Sequence, residues 1–327
     1  MKRHLRAASL LFNQPLLVTP DMLDLGMRWA NNTMSLNIVN LEMGALSGMS
    51  AEPKLFYDDD DYERRVIERE EQRRAAIGQT GVEVIPVSGV LVSRGSHLAA
   101  CETMTSYEDL RRMINTAVAD PMVEHIVLDI DSPGGSAVGA FELAADIRAA
   151  TQIKPITGLV NFMAYSGGYL LAAACTEVVV SLTSGVGSIG VIASHMDRSR
   201  MLEGAGVKVT TVYAGAHKND MSPDEPLTDQ SLQVLNTLVQ ESYQLFTSHV
   251  AEYRNRDVAD IIATEAACYR GPAALAAGLA DRLQTPQLTV DNLSRAVAAS
   301  RSQRQSSVQA RQRISVQAAA MNIQAQL

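Results

Sequence analysis

A serine at a strand-to-helix junction is the residue of this chain best suited to covalent chemistry. Ser166 follows the apolar run 156–160 and precedes Gly167 and Gly168, a pattern that predicts a strand, a tight turn and the start of a helix. The glycines permit a sharp turn and let a substrate approach the backbone closely. We therefore predict that the Ser166 hydroxyl is a nucleophile.

A second junction of the same kind comes earlier in the chain. The apolar run 126–130 leads into 131–135 (Asp-Ser-Pro-Gly-Gly), which we interpret as a turn that opens a helix. The unpaired N–H groups in the first turn of a helix can stabilise a developing oxyanion. On its own the glycine pair would be an ordinary turn. Together with Ser166 it predicts an oxyanion hole made by the N–H groups of Gly135 and Gly167, and hence acyl transfer.

A serine hydroxyl also needs a base to take its proton, and two residue types are available. Among the six histidines, His195 is the one that we expect near Ser166, because it follows the Gly-rich segment 185–192. Lys218 follows a predicted strand at 207–213, in a loop at the sheet edge where α/β folds place function. A lysine becomes a base only where desolvation lowers its pKa, and most loop lysines are simply solvated. The residues alone leave both bases open.

The Gly-rich segment has two equally good interpretations. It is either an ordinary, closely packed strand or a strand beside which a peptide pairs through backbone hydrogen bonds. In the second case Gly187, Ser188 and Ile189 contact the substrate.

Composition restricts the remaining function classes. The 327 residues are 46% hydrophobic with a net charge of −8, which is globular and argues against a general nucleic-acid binder. The three cysteines form no CxxC pair, so we expect neither a zinc knuckle nor a redox motif, and Cys175 reads as a buried structural thiol. The acidic run 58–61 reads as part of a solvated helix or linker. We therefore expect no metal, cofactor or nucleic-acid partner. We also expect no membrane partner, because no segment reaches the ~18 apolar residues of a membrane span.

Strand and helix patterns alternate from Val82 onward, which predicts an α/β fold with a mostly parallel sheet. We divide the chain into an N-terminal leader and charged linker (1–81), a catalytic domain (82–283) and a flexible or helical basic tail (284–327). Residues 1–50 of the leader read as a docking or capping segment. Within the catalytic domain we expect helices at 107–118, 136–149, 195–204, 228–254 and, broken at Gly271-Pro272, at 264–283.

Four motifs, in this order, resemble the signal peptide peptidase A family of serine proteases. They are 131–135, 164–169, 187–191 and Lys218 before Ser222-Pro223, and the similarity covers about 82–283. The resemblance implies a Clp-protease/crotonase-like fold with a long C-terminal helical region. It also implies a Ser-Lys dyad with Ser166 as nucleophile and Lys218 as general base, and an oxyanion hole at Gly135 and Gly167. It further implies a ring-like homo-oligomer, in some members with the dyad completed across a subunit boundary.

The leader (12–17) and the basic Gln/Arg/Ala tail look like those of the capsid-assembly proteases of tailed bacteriophages. This similarity implies a serine endopeptidase of prohead maturation, located in the host cytoplasm or the prohead. Its polypeptide substrates would be scaffold, portal or capsid proteins, including its own chain, and the tail would be a scaffold-like extension. Three alternatives stay open. They are a host signal-peptide or peptide peptidase in the bacterial cytoplasm, an inactive assembly or scaffold protein, and, weakest, a crotonase-type acyl-CoA enzyme.

Overall fold

The computed structural model describes residues 14–20, 23, 59–94 and 104–324 of the chain. In these ranges the strands are β1 Leu16–Val18, β2 Val82–Ser88, β3 Val90–Val92, β4 Met104–Ser106, β5 His125–Ser132, β6 Gly134–Ser136, β7 Ile156–Tyr165, β8 Glu177–Val180, β9 Gly185–Gly187, β10 Cys268–Arg270 and β11 Arg282–Leu283. The helices are α1 Asp59–Thr80, α2 Tyr107–Ala119, α3 Ala140–Ala150, α4 Gly167–Ala173, α5 Ser199–Gly204, α6 Asp229–Arg254, α7 Val258–Ile262, α8 Pro272–Ala276 and α9 Pro286–Gln324.

A seven-stranded sheet forms the centre of the fold. Its main path runs β10-β9-β7-β5-β2, and β8 pairs with both β7 and β11. All of these pairs are parallel except the one between β9 and β10. The apolar side chains of β5 and of residues 156–160 in β7 are buried because helices cover both faces of the sheet, whereas Phe162 farther along β7 is exposed. The predicted fold class, α/β with a mostly parallel sheet and a C-terminal helical region, is confirmed.

A smaller sheet, in the order β1-β6-β3-β4, carries the second glycine motif. Here the prediction that Gly134 and Gly135 open a helix is wrong, because they form strand β6 and the next helix begins only at Ala140. The physical reason is that β6 has backbone partners on both sides, with Leu17 and Leu91 both opposite Gly135. A side chain at Gly135 would overlap the backbone of Leu91, so the absence of one permits the pairing.

Two further sequence predictions fail because strand pairing depends on distant residues. Residues 207–213 have no regular secondary structure and are exposed, although their Val/Thr content predicts a strand. No strand in the described ranges pairs with them, and β propensity alone does not hold an unpaired strand. The predicted helix at 264–283 is reduced to α8 between β10 and β11, because residues 268–270 pair with β9 instead. Helix α5 begins at Ser199 rather than at 195.

The basic tail is helical, and its first turns pack on the sheet. Leu293 and Val297 of α9 are buried against Val82, Val127 and neighbouring sheet residues. Farther along, Arg301 and Arg304 bond to Glu124, and these hydrogen bonds hold the pKa of Glu124 below its usual range. The domain division at residues 82 and 284 stays a prediction. No helix of the described residues is both long and apolar enough to cross a bilayer.

Candidate active site

Ser166 lies at a strained turn between strand β7 and helix α4. Its backbone angles are φ 52° and ψ −118°, outside the regions that side-chain-bearing residues ordinarily adopt. Gly271, just before helix α8, has nearly the same backbone angles, φ 47° and ψ −121°. Glycine adopts these angles readily because it has no Cβ. A serine in this conformation costs on the order of 1–3 kcal/mol, and such strain is typical of functional sites. The predicted turn at Ser166 is present and has the geometry of a nucleophile elbow.

The Ser166 hydroxyl is buried but weakly held. The side chain is fully buried, and Oγ lies 3.5 Å from the Gly190 carbonyl oxygen, at the long limit of a hydrogen bond. The backbone, in contrast, is firmly fixed. The Ser166 N–H donates to the Gly187 carbonyl at 2.8 Å, and the Ser166 carbonyl accepts from the Leu170 N–H at 3.0 Å. The turn is therefore rigid while the hydroxyl is free to exchange partners.

The two predicted oxyanion-hole glycines lie side by side. An ideal Cβ placed on Gly167 would be 3.5 Å from the Gly135 nitrogen and 3.3 Å from the Leu17 carbonyl oxygen. Gly167 is the first residue of α4, so its N–H belongs to the helix donors that have no intrahelical acceptor. The structure thus brings Ser166, Gly135 and Gly167 together. Gly135 lies there as a strand residue and not, as predicted, at a helix start, and its role in an oxyanion hole stays a prediction.

Ser132 supports this arrangement, and the sequence argument gave it no role. It is fully buried, and its Oγ donates to the Gly89 carbonyl at 2.7 Å and accepts from the Gly134 N–H at 3.1 Å. These bonds fix the turn in which Gly134 adopts a φ of 103°. A serine directly before Pro-Gly is a known turn signal, and it could have indicated this role.

The Gly-rich segment is a paired strand up to Gly187 and irregular beyond it. Strand β9 has β7 on one side and β10 on the other, so both of its edges are occupied. After it, Ser188 has a positive φ of 53°, and its N–H donates to the Ala267 carbonyl. Ile189 is fully buried in the main core. Gly187, Ser188 and Ile189 therefore lie next to the Ser166 turn, and their contact with a substrate stays a prediction.

The two candidate bases lie in different surroundings. Lys218 is exposed in the loop 214–222, where its N–H donates to the Gly215 carbonyl. No hydrogen bond between Lys218 and Ser166 occurs in this single chain, so the structure does not bring the two together. His195 is half-buried three residues after Ile192. Burial lowers its pKa, and the charge of Asp197 opposes that change.

Burial also shifts the pKa of two carboxyl groups near the carboxyl end of β5. Burial raises the pKa of Asp129, with Asn161 opposing, and burial together with the Asp129 charge raises the pKa of Asp131. Neither aspartate contacts Ser166 through a hydrogen bond. In the described part of the chain no group of three or more His, Cys, Asp or Glu side chains is placed to hold a metal ion.

Part of the chain is similar to a known peptidase family. Residues 148–300 match peptidase family S49. Capsid assembly protease C of Escherichia phage lambda is 35% identical over 86% of this chain and 64% of its own length. Head-tail preconnector protein GP5 of Enterobacteria phage P21 is 40% identical over 62% of this chain and 40% of its own length. The chain thus spans less than two thirds of either phage relative.

More distant matches include the chloroplastic serine protease SPPA of Arabidopsis thaliana, 27% identical over 56% of this chain and 26% of that protein. Among solved structures, a stomatin-specific membrane-bound protease aligns with 62% of this chain and 79% of its own, at a TM-score of 0.41 and 15% identity. An enoyl-CoA hydratase/isomerase family member aligns with 68% of this chain and 73% of its own, at a TM-score of 0.38 and 14% identity. The chain is thus similar to peptidase family S49 over residues 148–300, just under half of its length, and to the two phage proteins over a longer stretch.

Proposed function

We propose that this chain is a serine endopeptidase of phage prohead maturation that cleaves scaffold, portal or capsid proteins, its own chain included. The observation that carries the proposal is the strained turn at Ser166, beside which the backbones of Gly135 and Gly167 converge. The kinship with the phage capsid assembly protease supports the biological setting, which is the host cytoplasm or the prohead.

The turn supports a stepwise acyl transfer. Ser166 Oγ attacks the carbonyl carbon of the scissile peptide while a base removes the hydroxyl proton. The N–H groups of Gly135 and Gly167 donate to the resulting oxyanion. When the intermediate collapses, the leaving amine takes the proton and the acyl group stays on Ser166. A water molecule then releases the acyl group by the same route in reverse.

For the base we propose Lys218, supplied by a neighbouring subunit. In a single chain Lys218 is exposed, and the stretch before it presents apolar side chains to solvent, with Val212 93% and Tyr213 52% exposed. Exposed apolar side chains of this kind are typical of a surface that packs against a partner. Association of subunits into a ring would bury the stretch and could deliver the Lys218 amine to another subunit's Ser166.

Labelling with a fluorophosphonate probe tests the nucleophile. We expect the probe to modify Ser166, and Ser166→Ala to abolish both labelling and casein cleavage, because removing one member of a catalytic unit costs several orders of magnitude in rate. Ser181→Ala is the matched control, since Ser181 lies in the same domain within a turn formed with Ser184. Labelling that persists in Ser166→Ala would contradict the proposal.

Mixing two inactive variants tests whether the dyad is shared. Ser166→Ala and Lys218→Ala are each expected to be inactive alone. If the dyad spans a subunit boundary, coassembly in equal amounts restores about one quarter of the sites, because one neighbour supplies the serine and the other the lysine. A fully active Lys218→Ala variant, especially alongside an inactive His195→Ala variant, would show that the base is assigned wrongly.

A host signal-peptide or cytosolic peptide peptidase, which would clear peptides, is the second candidate, supported by the 25% identity with a putative signal peptide peptidase SppA of Enterococcus faecium. The basic tail separates the two roles. In prohead maturation we expect α9 to bind scaffold or capsid protein, so deleting the tail beyond Arg304 would abolish copurification with those proteins while leaving casein cleavage intact. Equal recovery with and without the tail would favour the peptide-clearing role.

A further inference from the structure

We infer that the leader strand β1 occupies the groove in which a substrate peptide would pair, and that it acts as an internal competitor of substrate. The inference rests on the proposed peptidase function, because it treats the backbone edges beside Ser166 as the peptide-binding edges. It also specifies the chemistry of the ligand, which is an extended segment with a leucine at the position of Leu17.

The first support is the pairing of β1 on both sides. Leu16, Leu17 and Val18 lie antiparallel to Ser136, Gly135 and Gly134 of β6. On the other side, Leu16 and Ile192 exchange both backbone hydrogen bonds, at 2.8 Å and 3.0 Å. The leader therefore fills a gap between the oxyanion strand and the segment that follows the Gly-rich motif. If β1 left, the backbone groups at both edges would need another extended peptide as a partner.

The second support is the position of the Leu17 carbonyl. Its oxygen is 3.3 Å from where a Cβ on Gly167 would stand, and that same point is 3.5 Å from the Gly135 nitrogen. It also lies so close to Gly134 that a side chain there would overlap it. The Leu17 carbonyl thus stands against the glycines assigned to the oxyanion hole, where the proposed reaction puts the scissile carbonyl.

The third support is burial. Leu17 is fully buried in the main core, whereas Leu16 and Val18 form a small separate cluster with Leu23 and Ile192. The alternation means that Leu17 faces inward, as the side chain of a substrate residue at the cleavage site would. Ser166 is itself fully buried, although its proposed role requires that a substrate reach it. A leader that leaves the groove would resolve this conflict.

The test measures peptide binding, not hydrolysis, in the Ser166→Ala chain. The probe is a fluorescein-labelled peptide with the sequence of residues 13–20, and its binding to the protein is measured by fluorescence anisotropy. Leu17→Asp places a charge in the buried position and should expel the leader, since an unpaired buried charge is costly. We expect the apparent Kd to fall by about tenfold or more, because the fraction of chains with a free groove rises. A peptide that carries aspartate in place of Leu17 should not bind.

Two further variants keep the test decisive. Leu17→Ala is the milder change, to be used if circular dichroism shows that Leu17→Asp does not fold, and it should lower the apparent Kd in the same direction. Leu293→Ala truncates a similarly buried leucine on the other face of the sheet and should leave peptide binding unchanged. Equal peptide binding with the leader intact and disrupted, or none in either, overturns the inference. If the peptide binds as expected but the Ser166-bearing chain hydrolyses nothing, the proposed function fails and the leader-occupied groove stands.

Discussion

Replacing Ser166 with glycine should make the protein more stable than replacing it with alanine, even though both changes remove the hydroxyl. The comparison isolates the backbone strain of the turn, because neither variant has a polar side chain at this position. Alanine keeps a Cβ at φ 52° and ψ −118°, whereas glycine adopts these angles without steric cost. The occurrence of glycine in nearly the same conformation at position 271 supports this reasoning.

The size of the effect follows from two opposing contributions. Removing the Cβ relieves strain on the order of 1–3 kcal/mol. Glycine also loses more conformational freedom on folding, which costs roughly 0.5–1 kcal/mol relative to alanine. The net advantage of Ser166→Gly over Ser166→Ala is therefore about 1 kcal/mol within a range of about 0–2.5 kcal/mol, or a few degrees in Tm for a chain of this size. Ser166→Ala itself should lie within about 1 kcal/mol of the parent, because the hydroxyl makes only one long hydrogen bond.

Urea unfolding of the three proteins measures these differences, provided that the slope of free energy against urea concentration is the same for all. Ser181 supplies the control pair, because its φ is not positive. There the glycine variant should be less stable than the alanine variant by about 0.5–1 kcal/mol, opposite in sign to the pair at Ser166. If Ser166→Gly is less stable than Ser166→Ala, the turn is not strained and the elbow argument fails.

Three other substitutions test separate parts of the structure. Asp281→Ala leaves the buried Arg254 guanidinium without its carboxylate, and because Asp281 is 41% exposed the free energy of unfolding should fall by only about 1.5–3 kcal/mol, whereas a loss below about 0.5 kcal/mol would mean that solvent screens this pair. Gly135→Ala should prevent folding or greatly destabilise the protein, because the new Cβ would overlap backbone atoms of β3. Gly204→Ala is the control: its Cβ meets no atom within 4 Å, so urea unfolding should show an intact fold. The lowered pKa of Glu124 contributes stability at neutral pH that is lost as pH falls through that pKa, so the parent should exceed Glu124→Gln in stability near pH 6 and lose this advantage progressively on acidification below pH 4.5. A constant difference across that range would refute the ion-pair contribution of the two α9 arginines.

Local sequence determined the turn at Ser166. The apolar run 156–160 forms the buried parallel strand that it predicts, and the two glycines after Ser166 begin the helix. The helices at 107–119 and 229–254 follow their apolar spacing with nearly the predicted bounds. These elements form where expected because their signals, a buried strand and an amphipathic helix, lie within the segment itself.

Tertiary structure decided what depends on a distant partner. Gly134 and Gly135 form a strand only because Leu17 and Leu91, far away in sequence, lie on either side of them. Residues 207–213 have strand composition and remain unpaired, because no strand of the described residues lies beside them. The presence of β1 beside Gly134 and Gly135 was equally hidden, since three apolar residues carry no information about which edge they join. Strands pair through backbone groups that nearly all amino acids share. The sequence therefore determines which segments can form an extended strand, and the assembled fold decides which neighbouring strand each one pairs with.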